Sequence, residues 1–317
     1  MKKNIFMFSK SIRVQATASV ANVSCGFDCL GFSINNPFDI ITIEEKKTSG
    51  LEIILSGIKS NKIPLDPKKN TAGKALLSLL NKIEIEPKYK IHINKGIPPG
   101  SGLGSSAASA VSSVVGINKL LNEPLNSEEL LIHTIEGESA ASNAFHADNV
   151  APALFGGIIL IRSYNPLETI SLPVPNNLYC TVVLPDLHIN TSEARKILPK
   201  DVRLEIAVGQ SSNLAGFISG LFKNDYELIG RSMIDLFAEP YRSKLIPNYE
   251  SLKASAMDAG ALGCGISGSG PSIFALSKSE DLAKTIGNNL VKSFNKHHIN
   301  SISYSSKINL APPKILG

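Results

Sequence analysis

The stretch that most constrains this chain is residues 96–108, GIPPGSGLGSSAA. Residues 89–93 before it alternate apolar and polar side chains, which predicts a strand. From Ser105 or Ser106 a run rich in small residues predicts a long helix reaching about Leu121. A strand therefore enters a Gly/Pro loop, and a helix leaves it. Glycines admit positive φ and let a ligand approach the backbone. The helix start offers unpaired N–H groups and the positive end of the macrodipole. With the hydroxyls of Ser105 and Ser106 added, the backbone of Pro98, Pro99, Gly100, Ser101, Gly102, Leu103 and Gly104 is suited to cradle a polyphosphate. Two better-known loops are excluded. GxxxxGK[ST] fails because no Lys follows the last glycine, and GxGxxG fails because its third glycine falls one place early. A plain tight strand–helix connection stays open from this loop alone.

Composition narrows the partners. The 317 residues are 43% apolar and 19% charged, ordinary globular proportions. That length suits two domains of about 150 residues, or one large one. The net charge of +5 suits anionic ligands such as nucleotides or carboxylates. No block of like charge and no Trp support nucleic-acid binding. Cys25, Cys29, Cys180 and Cys264 lack the paired CxxC spacing of a zinc site and are expected to be reduced cytosolic thiols. The start, MKKNIFMF, is basic then apolar but too short for a signal h-region. No apolar run approaches the roughly 20 residues of a membrane span. A soluble cytoplasmic protein is expected.

Along the chain, strands are expected at 40–45, 51–55, 158–161, 179–184, 273–276 and near 301–308. Helices are expected at 70–83 (capped by Asn70 or Thr71), 127–142, 192–198, 203–222, 225–237, 248–259 and 279–296, with a short helix or loop at 146–157. The irregular alternation predicts an α+β fold. The turn-rich stretch 165–178 is the expected boundary, dividing the chain as 1–170 and 171–317.

Four segments in order carry a resemblance. Residues 96–108 resemble the phosphate-loop motif of the GHMP kinase superfamily. Residues 18–31, ASVANVSCGFDCLG, resemble its first motif in the homoserine kinase form. Residues 263–272, GCGISGSGPS, resemble its third, Gly-rich motif. Residues 146–157, HADNVAPALFGG, are similar to a stretch typical of homoserine kinases. One departure stands out: Ser24 replaces a glycine of the first motif, which leaves the backbone path there open. The resemblance implies a two-domain architecture, with an N-terminal half like the second domain of ribosomal protein S5 and a ferredoxin-like C-terminal half. It also implies ATP, Mg²⁺, a homodimer, and phosphorylation of the L-homoserine hydroxyl.

It further implies roles for individual residues. Asn70 and Lys74 match positions near the nucleotide, although Asn70 also reads as a simple helix cap. Glu138 lies eight residues before His146, the spacing of the family's Mg²⁺ carboxylate, with Ser106 as its partner. Glu136, on a different helix face, is the rival. Arg195 and Arg242 match carboxylate-binding arginines, a role suited to the planar guanidinium fork. Asn22, Asp28, His146 and Asp148 match substrate-contacting positions, and the two aspartates suit an ammonium. Thr191, four residues before Arg195, supports the site. Residues 265–269, with Gly268 as a substrate-binding position, are expected to pack against the phosphate loop and the substrate. Asn149 cannot act as a base at neutral pH. The resemblance therefore implies that Asn149 and Arg195 orient the hydroxyl while the γ-phosphate takes its proton. A sister kinase acting on mevalonate, shikimate or a sugar, and an inactive nucleotide-binding module, are the alternatives.

Overall fold

Ile12, Val14, Ala16, Ala18 and Val20 alternate with polar residues. Their side chains are buried while Ser11 and Arg13 are exposed, which is the period-2 pattern of a strand with one face on a core. This strand, β1 (Ser11–Ala21), pairs antiparallel with the long β2 (Leu30–Glu45). The computed structural model describes residues 11–142 and 147–316; the basic-then-apolar start at residues 1–8 and His146 lie outside the described residues.

Among the described residues the first sheet has seven strands. β3 (Gly50–Gly57) lies parallel to β4 (Lys88–Lys95), and β4 pairs antiparallel with β2. The other end of β2 pairs with β5 (Ile158–Tyr164), which forms a hairpin with β6 (Leu167–Leu172). Asn165 and Pro166 supply that turn, so the turn-rich stretch hides a short strand. Three helices pack together over this sheet: α1 (Thr71–Lys82), α2 (Ser105–Leu120) and α3 (Ser127–Ser142). Asn70 caps α1 by accepting the Gly73 N–H at 3.2 Å. α2 is buried nearly all round, and its Ala and Ser side chains let it sit close between β1, β2 and α1. The short α4 (Val150–Phe155) follows.

The second sheet is antiparallel. β7 (Tyr179–Pro185) and β9 (Ile273–Ser277) are central, flanked by β10 (Ser301–Lys307) and β8 (Gly263–Ile266). Between β7 and β8 run α5 (Thr191–Lys196), α6 (Leu204–Lys223), α7 (Tyr226–Arg231), α8 (Glu239–Arg242) and α9 (Tyr249–Asp258). α10 (Glu280–Lys296) packs on β7, β9 and β10 and buries Ile286, Leu290 and Phe294 in a second core cluster. One face of this sheet, with Cys180, Val182, Phe274 and Leu276, joins the first cluster. The terminal β11 (Lys314–Ile315) returns to pair with β1. The fold is α+β, as the sequence predicts. Among the described residues no helix is long and apolar enough to cross a membrane.

The expected helix at 225–237 stops at Arg231. Beyond it Asp235 takes the backbone donors that the expected helix would use next: its Oδ1 accepts the N–H groups of Phe237 and Ala238 at 2.8 and 2.9 Å, and its Oδ2 accepts that of Glu239 at 3.0 Å. A local side-chain turn thus replaces the helix ladder and starts α8.

Candidate active site

The loop between β4 and α2 follows from a buried ion pair. Tyr89, Ile91, Ile93 and Lys95 share the inward face of β4, so strand parity drives a lysine into the core. There Lys95 pairs with Asp39 of β2, and neither side chain is more than 2% exposed. Lys95 Nζ also donates to the Ser105 carbonyl at 2.7 Å and to Ser109 Oγ at 2.8 Å. Asp39 Oδ1 accepts the N–H groups of Gly96 and Ile97 at 2.9 and 3.0 Å. One ion pair therefore ties down both ends of the phosphate loop. Burial pushes the Lys95 ammonium down from its usual value, and Asp39 opposes that.

Between those ends the loop leans on the third motif. Gly102 has φ +79°, and a Cβ there would lie 2.5 Å from the Ser267 carbonyl oxygen. Ser267 Oγ donates to the Gly102 carbonyl at 2.7 Å, and the Ser272 N–H to the Ser101 carbonyl at 3.2 Å. Gly104, at φ +63°, precedes α2, and a Cβ there would collide with Ser19 Oγ and Asn149 Oδ1. Glycine is required at both places.

The loop forms one wall of a cavity of about 590 Å³. Pro99, Gly100, Ser101, Gly102, Gly104, Ser105 and Ser106 line it, while Pro98 and the buried Leu103 do not. Asn70 lines the cavity too, but its amide is engaged: Nδ2 donates to the Pro64 carbonyl at 2.9 Å and Oδ1 caps α1. Lys74 is not part of the lining; its Nζ donates to Ser139 Oγ at 2.7 Å and pairs with Glu136 at 3.4 Å. Glu136 thus faces Lys74. Glu138, on the other side of α3, accepts from Ser106 Oγ at 2.5 Å and lines the cavity. Burial raises the Glu138 carboxyl above its ordinary value, opposed by the Ser106 hydrogen bond and the Lys95 charge.

The far end of the cavity gathers residues remote in sequence. Asn22, Asp28, Asp148, Asn149, Thr191, Arg195, Arg242 and Gly268 all line it. Asn22, Val23 and Ser24 hold φ of 69°, 43° and 55°, so Ser24 sits in the left-handed region that favours glycine. Asn22 Oδ1 accepts the Asp28 N–H at 3.0 Å, and its Nδ2 donates to the Gly268 carbonyl at 3.0 Å. That carbonyl also accepts from Arg242 Nη1 at 2.8 Å. Arg195 Nη2 donates to Asp28 Oδ2 at 2.6 Å. Thr191 Oγ1 stands 3.4 Å from Ser269 Oγ, one turn of α5 before Arg195. Asn149 Oδ1 accepts from Ser19 Oγ at 2.8 Å, so its amide is held in place. Burial, reinforced by the charge of Asp28, pushes the Asp148 carboxyl up to about 7.

The cavity thus joins a polyphosphate cradle to a pocket with two guanidinium groups and two carboxylates. That combination suits a nucleotide at one end and a small zwitterion at the other. Comparison with known proteins agrees. The GHMP kinases N terminal domain matches residues 70–157, and the GHMP kinases C terminal domain matches residues 217–296. The homoserine kinase of Chlorobium phaeobacteroides (strain BS1) is 44% identical over 295 residues, covering 90% of this chain and 92% of that one.

This chain belongs to the GHMP kinases, in their homoserine kinase family.

The crystal structure of homoserine kinase from Cytophaga hutchinsonii superposes on this GHMP kinase with a TM-score of 0.95 at 47% identity, covering 98% of this chain and 99% of that one. The mevalonate kinase of L. major, at 18% identity and a TM-score of 0.73, covering 96% and 99%, shares the fold. Lys95 and Asp39 were missed by motif reading, because a lone Lys at a strand end carries no motif. Strand parity through Tyr89, Ile91 and Ile93 is the signal that finds it.

Proposed function

We propose that this kinase transfers the γ-phosphoryl group of ATP to the hydroxyl of L-homoserine, giving ADP and O-phospho-L-homoserine, a step towards threonine. The observation that carries this reading is the charge pattern at the far end of the cavity: Arg195 and Arg242 for a carboxylate, Asp28 and Asp148 for an ammonium. A sugar needs neither pair, and mevalonate has no ammonium. The homoserine oxygen attacks the γ-phosphorus while the bond to the β-phosphate oxygen breaks and ADP leaves. Asn149 and Arg195 orient the attacking hydroxyl, and its proton passes to a γ-phosphate oxygen. The phosphate loop holds the chain of phosphates with its backbone N–H groups; the Ser105 hydroxyl, expected to help, instead donates to the Ile97 carbonyl at 2.7 Å, and the Ser106 hydroxyl faces Glu138.

Mg²⁺ fits the residues present. The Ser106 hydroxyl and the Glu138 carboxylate, now hydrogen-bonded to each other beside the phosphate loop, are the hard oxygens that a cation shared with phosphates and water takes. Among the described residues there is no cluster of three His, Cys, Asp or Glu able to hold a metal alone, so phosphate and water oxygens would complete the set. The ion would neutralise phosphate charge.

The same reading divides the chain into an ATP-binding half and a second half, but the expected boundary after residue 170 would cut β6, which ends at Leu172; a boundary within 173–178, before the second sheet starts at Tyr179, keeps both sheets whole. The reading also places a homodimer in the cytoplasm, where the four free cysteines suit a reducing compartment. ADP release with Mg·ATP and a panel of L-homoserine, mevalonate, shikimate, galactose and L-serine tests the assignment. Turnover with L-homoserine alone is expected. Preference for another acceptor overturns the reading of the pocket, and ATP binding without turnover of any acceptor overturns the kinase.

A further inference from the structure

Phe27 lies in the first motif, between Gly26 and Asp28, and is half-buried. It does not line the cavity. Yet the guanidinium carbons of Arg195 and Arg242 stand over its ring, 5.3 and 5.4 Å from the centroid. These two arginines come from different elements, α5 and α8, and carry the same charge. Their repulsion is felt: burial pushes the Arg242 guanidinium down from its usual value, and Arg195 adds to that while Asp28 opposes it. An aromatic face carries negative potential, so one ring attracts both cations and limits how each can turn.

The ring is itself held. Phe237 meets it edge-on, with centroids 6.3 Å apart and an interplanar angle of 89°. The Phe237 N–H is anchored by Asp235 at 2.8 Å. The buried Gln210 donates to the Cys25 carbonyl at 2.8 Å and accepts the Leu236 N–H at 2.8 Å. The segment before Phe27 and the segment before Arg242 are therefore stitched together through Gln210 and the Phe27–Phe237 contact. Arg242 is fixed further by donating to the Ala194 and Gly268 carbonyls, at 3.2 and 2.8 Å.

We propose that Phe27 is a positioning residue for acceptor specificity: its ring presets the two guanidinium groups as a clamp for the substrate carboxylate, and it does so through cation–π attraction. The inference rests on the reading that Arg195 and Arg242 bind a carboxylate. It predicts that ring electronics, and not bulk alone, govern recognition of that group.

Four proteins test it: the wild type, Phe27→Leu, Phe27→Tyr, and the wild-type chain with pentafluorophenylalanine incorporated at position 27, which keeps the ring's shape while reversing the sign of its face. Each is assayed for KM and kcat with ATP, with L-homoserine, and with L-homoserinol, in which a hydroxymethyl group replaces the carboxylate. Two lost cation–π contacts correspond to roughly a five- to thirtyfold rise in KM for L-homoserine. That rise is expected in the Leu and pentafluoro proteins, with KM for ATP and for L-homoserinol unchanged and with Phe27→Tyr close to wild type. A purely structural role would raise KM for both acceptors together. Wild-type KM for L-homoserine in the pentafluoro protein, or an equal rise for L-homoserinol, overturns the inference, whether or not Phe27→Leu folds. A wild-type enzyme with no preference for L-homoserine over L-homoserinol overturns the carboxylate reading itself, and this inference with it.

Discussion

Asp28 and Arg195 are 167 positions apart in the chain, and their side chains meet at 2.6 Å. The carboxylate comes from the turn after β1 and the guanidinium from α5, so the contact joins the two halves of the chain at the far end of the cavity. It also holds Arg195 in a fixed orientation before any substrate arrives.

Removing either guanidinium should therefore act on the acceptor and not on the nucleotide. A charged hydrogen bond is worth about 1.5–3 kcal/mol, so Arg195→Ala and Arg242→Ala should each lower kcat/KM for L-homoserine by roughly 10- to 100-fold. KM for ATP should stay within about twofold. Steady-state kinetics with each substrate varied in turn checks this, and an equal loss for ATP would contradict the placement.

Glu138 illustrates a group held against its own solvation. Burial favours its neutral form, so a neutral amide should be tolerated by the fold. Glu138→Gln should keep or raise the thermal midpoint while lowering kcat by about 100-fold, the usual scale for losing one preorganised electrostatic group. The Mg²⁺ concentration at half-maximal rate should rise as well. Differential scanning fluorimetry and a Mg²⁺ titration of the rate measure the two effects separately.

The Asp148 carboxyl is raised from 3.8 to about 7, so between those values the folded chain keeps a proton that the unfolded chain has released. The associated stability is full below pH 3.8 and is lost as pH rises to about 7. The shift corresponds to roughly 4 kcal/mol at most. Asp148→Asn should therefore gain stability relative to wild type as pH goes from 4 to 8, read as a growing difference in denaturation midpoint, while turnover of L-homoserine collapses. Parallel pH profiles for the two proteins would show that Asp148 titrates normally.

Ser24 holds φ 55°, and its buried hydroxyl has no hydrogen-bond partner among the described residues. Glycine removes both costs and adds some backbone entropy to the unfolded chain. Ser24→Gly should stabilise the protein by about 1 kcal/mol, and Ser24→Val should destabilise it. Urea denaturation of the three proteins decides it; a less stable glycine variant would mean that the hydroxyl contributes to the fold.

The elements most legible in the sequence were those with strong local signals. The spacing and the Asn70 or Thr71 cap place α1 within a residue, and the strand–glycine–serine transition places the start of α2 at Ser105 or Ser106, the structure taking Asn70 as the cap and Ser105 as the start. β1 is hard to read from the sequence although it alternates, because Ala and Ser at its end weaken the contrast between its faces. β6 was hidden among turn residues, and β11 is too short to have a period. Apolar spacing carries α7 on to 237, but it ends at Arg231, and the segment that follows is held by Asp235 side-chain hydrogen bonds that spacing does not register.

What the sequence determined by itself is the local chemistry: a glycine-rich turn able to meet phosphate, caps that start helices, and motifs whose order marks a GHMP kinase. The turn and the caps depend on near neighbours and survive in any window of a dozen residues, and the order of the motifs is read along the linear chain. Only the tertiary structure decided which groups face one another. It set Glu138 on Ser106 and Glu136 on Lys74, buried Lys95 against Asp39 beneath the phosphate loop, and brought Arg195 and Arg242 over one phenylalanine ring. The physical reason is that such contacts are fixed by sheet pairing and core packing between segments far apart in sequence, whose energies no local pattern records.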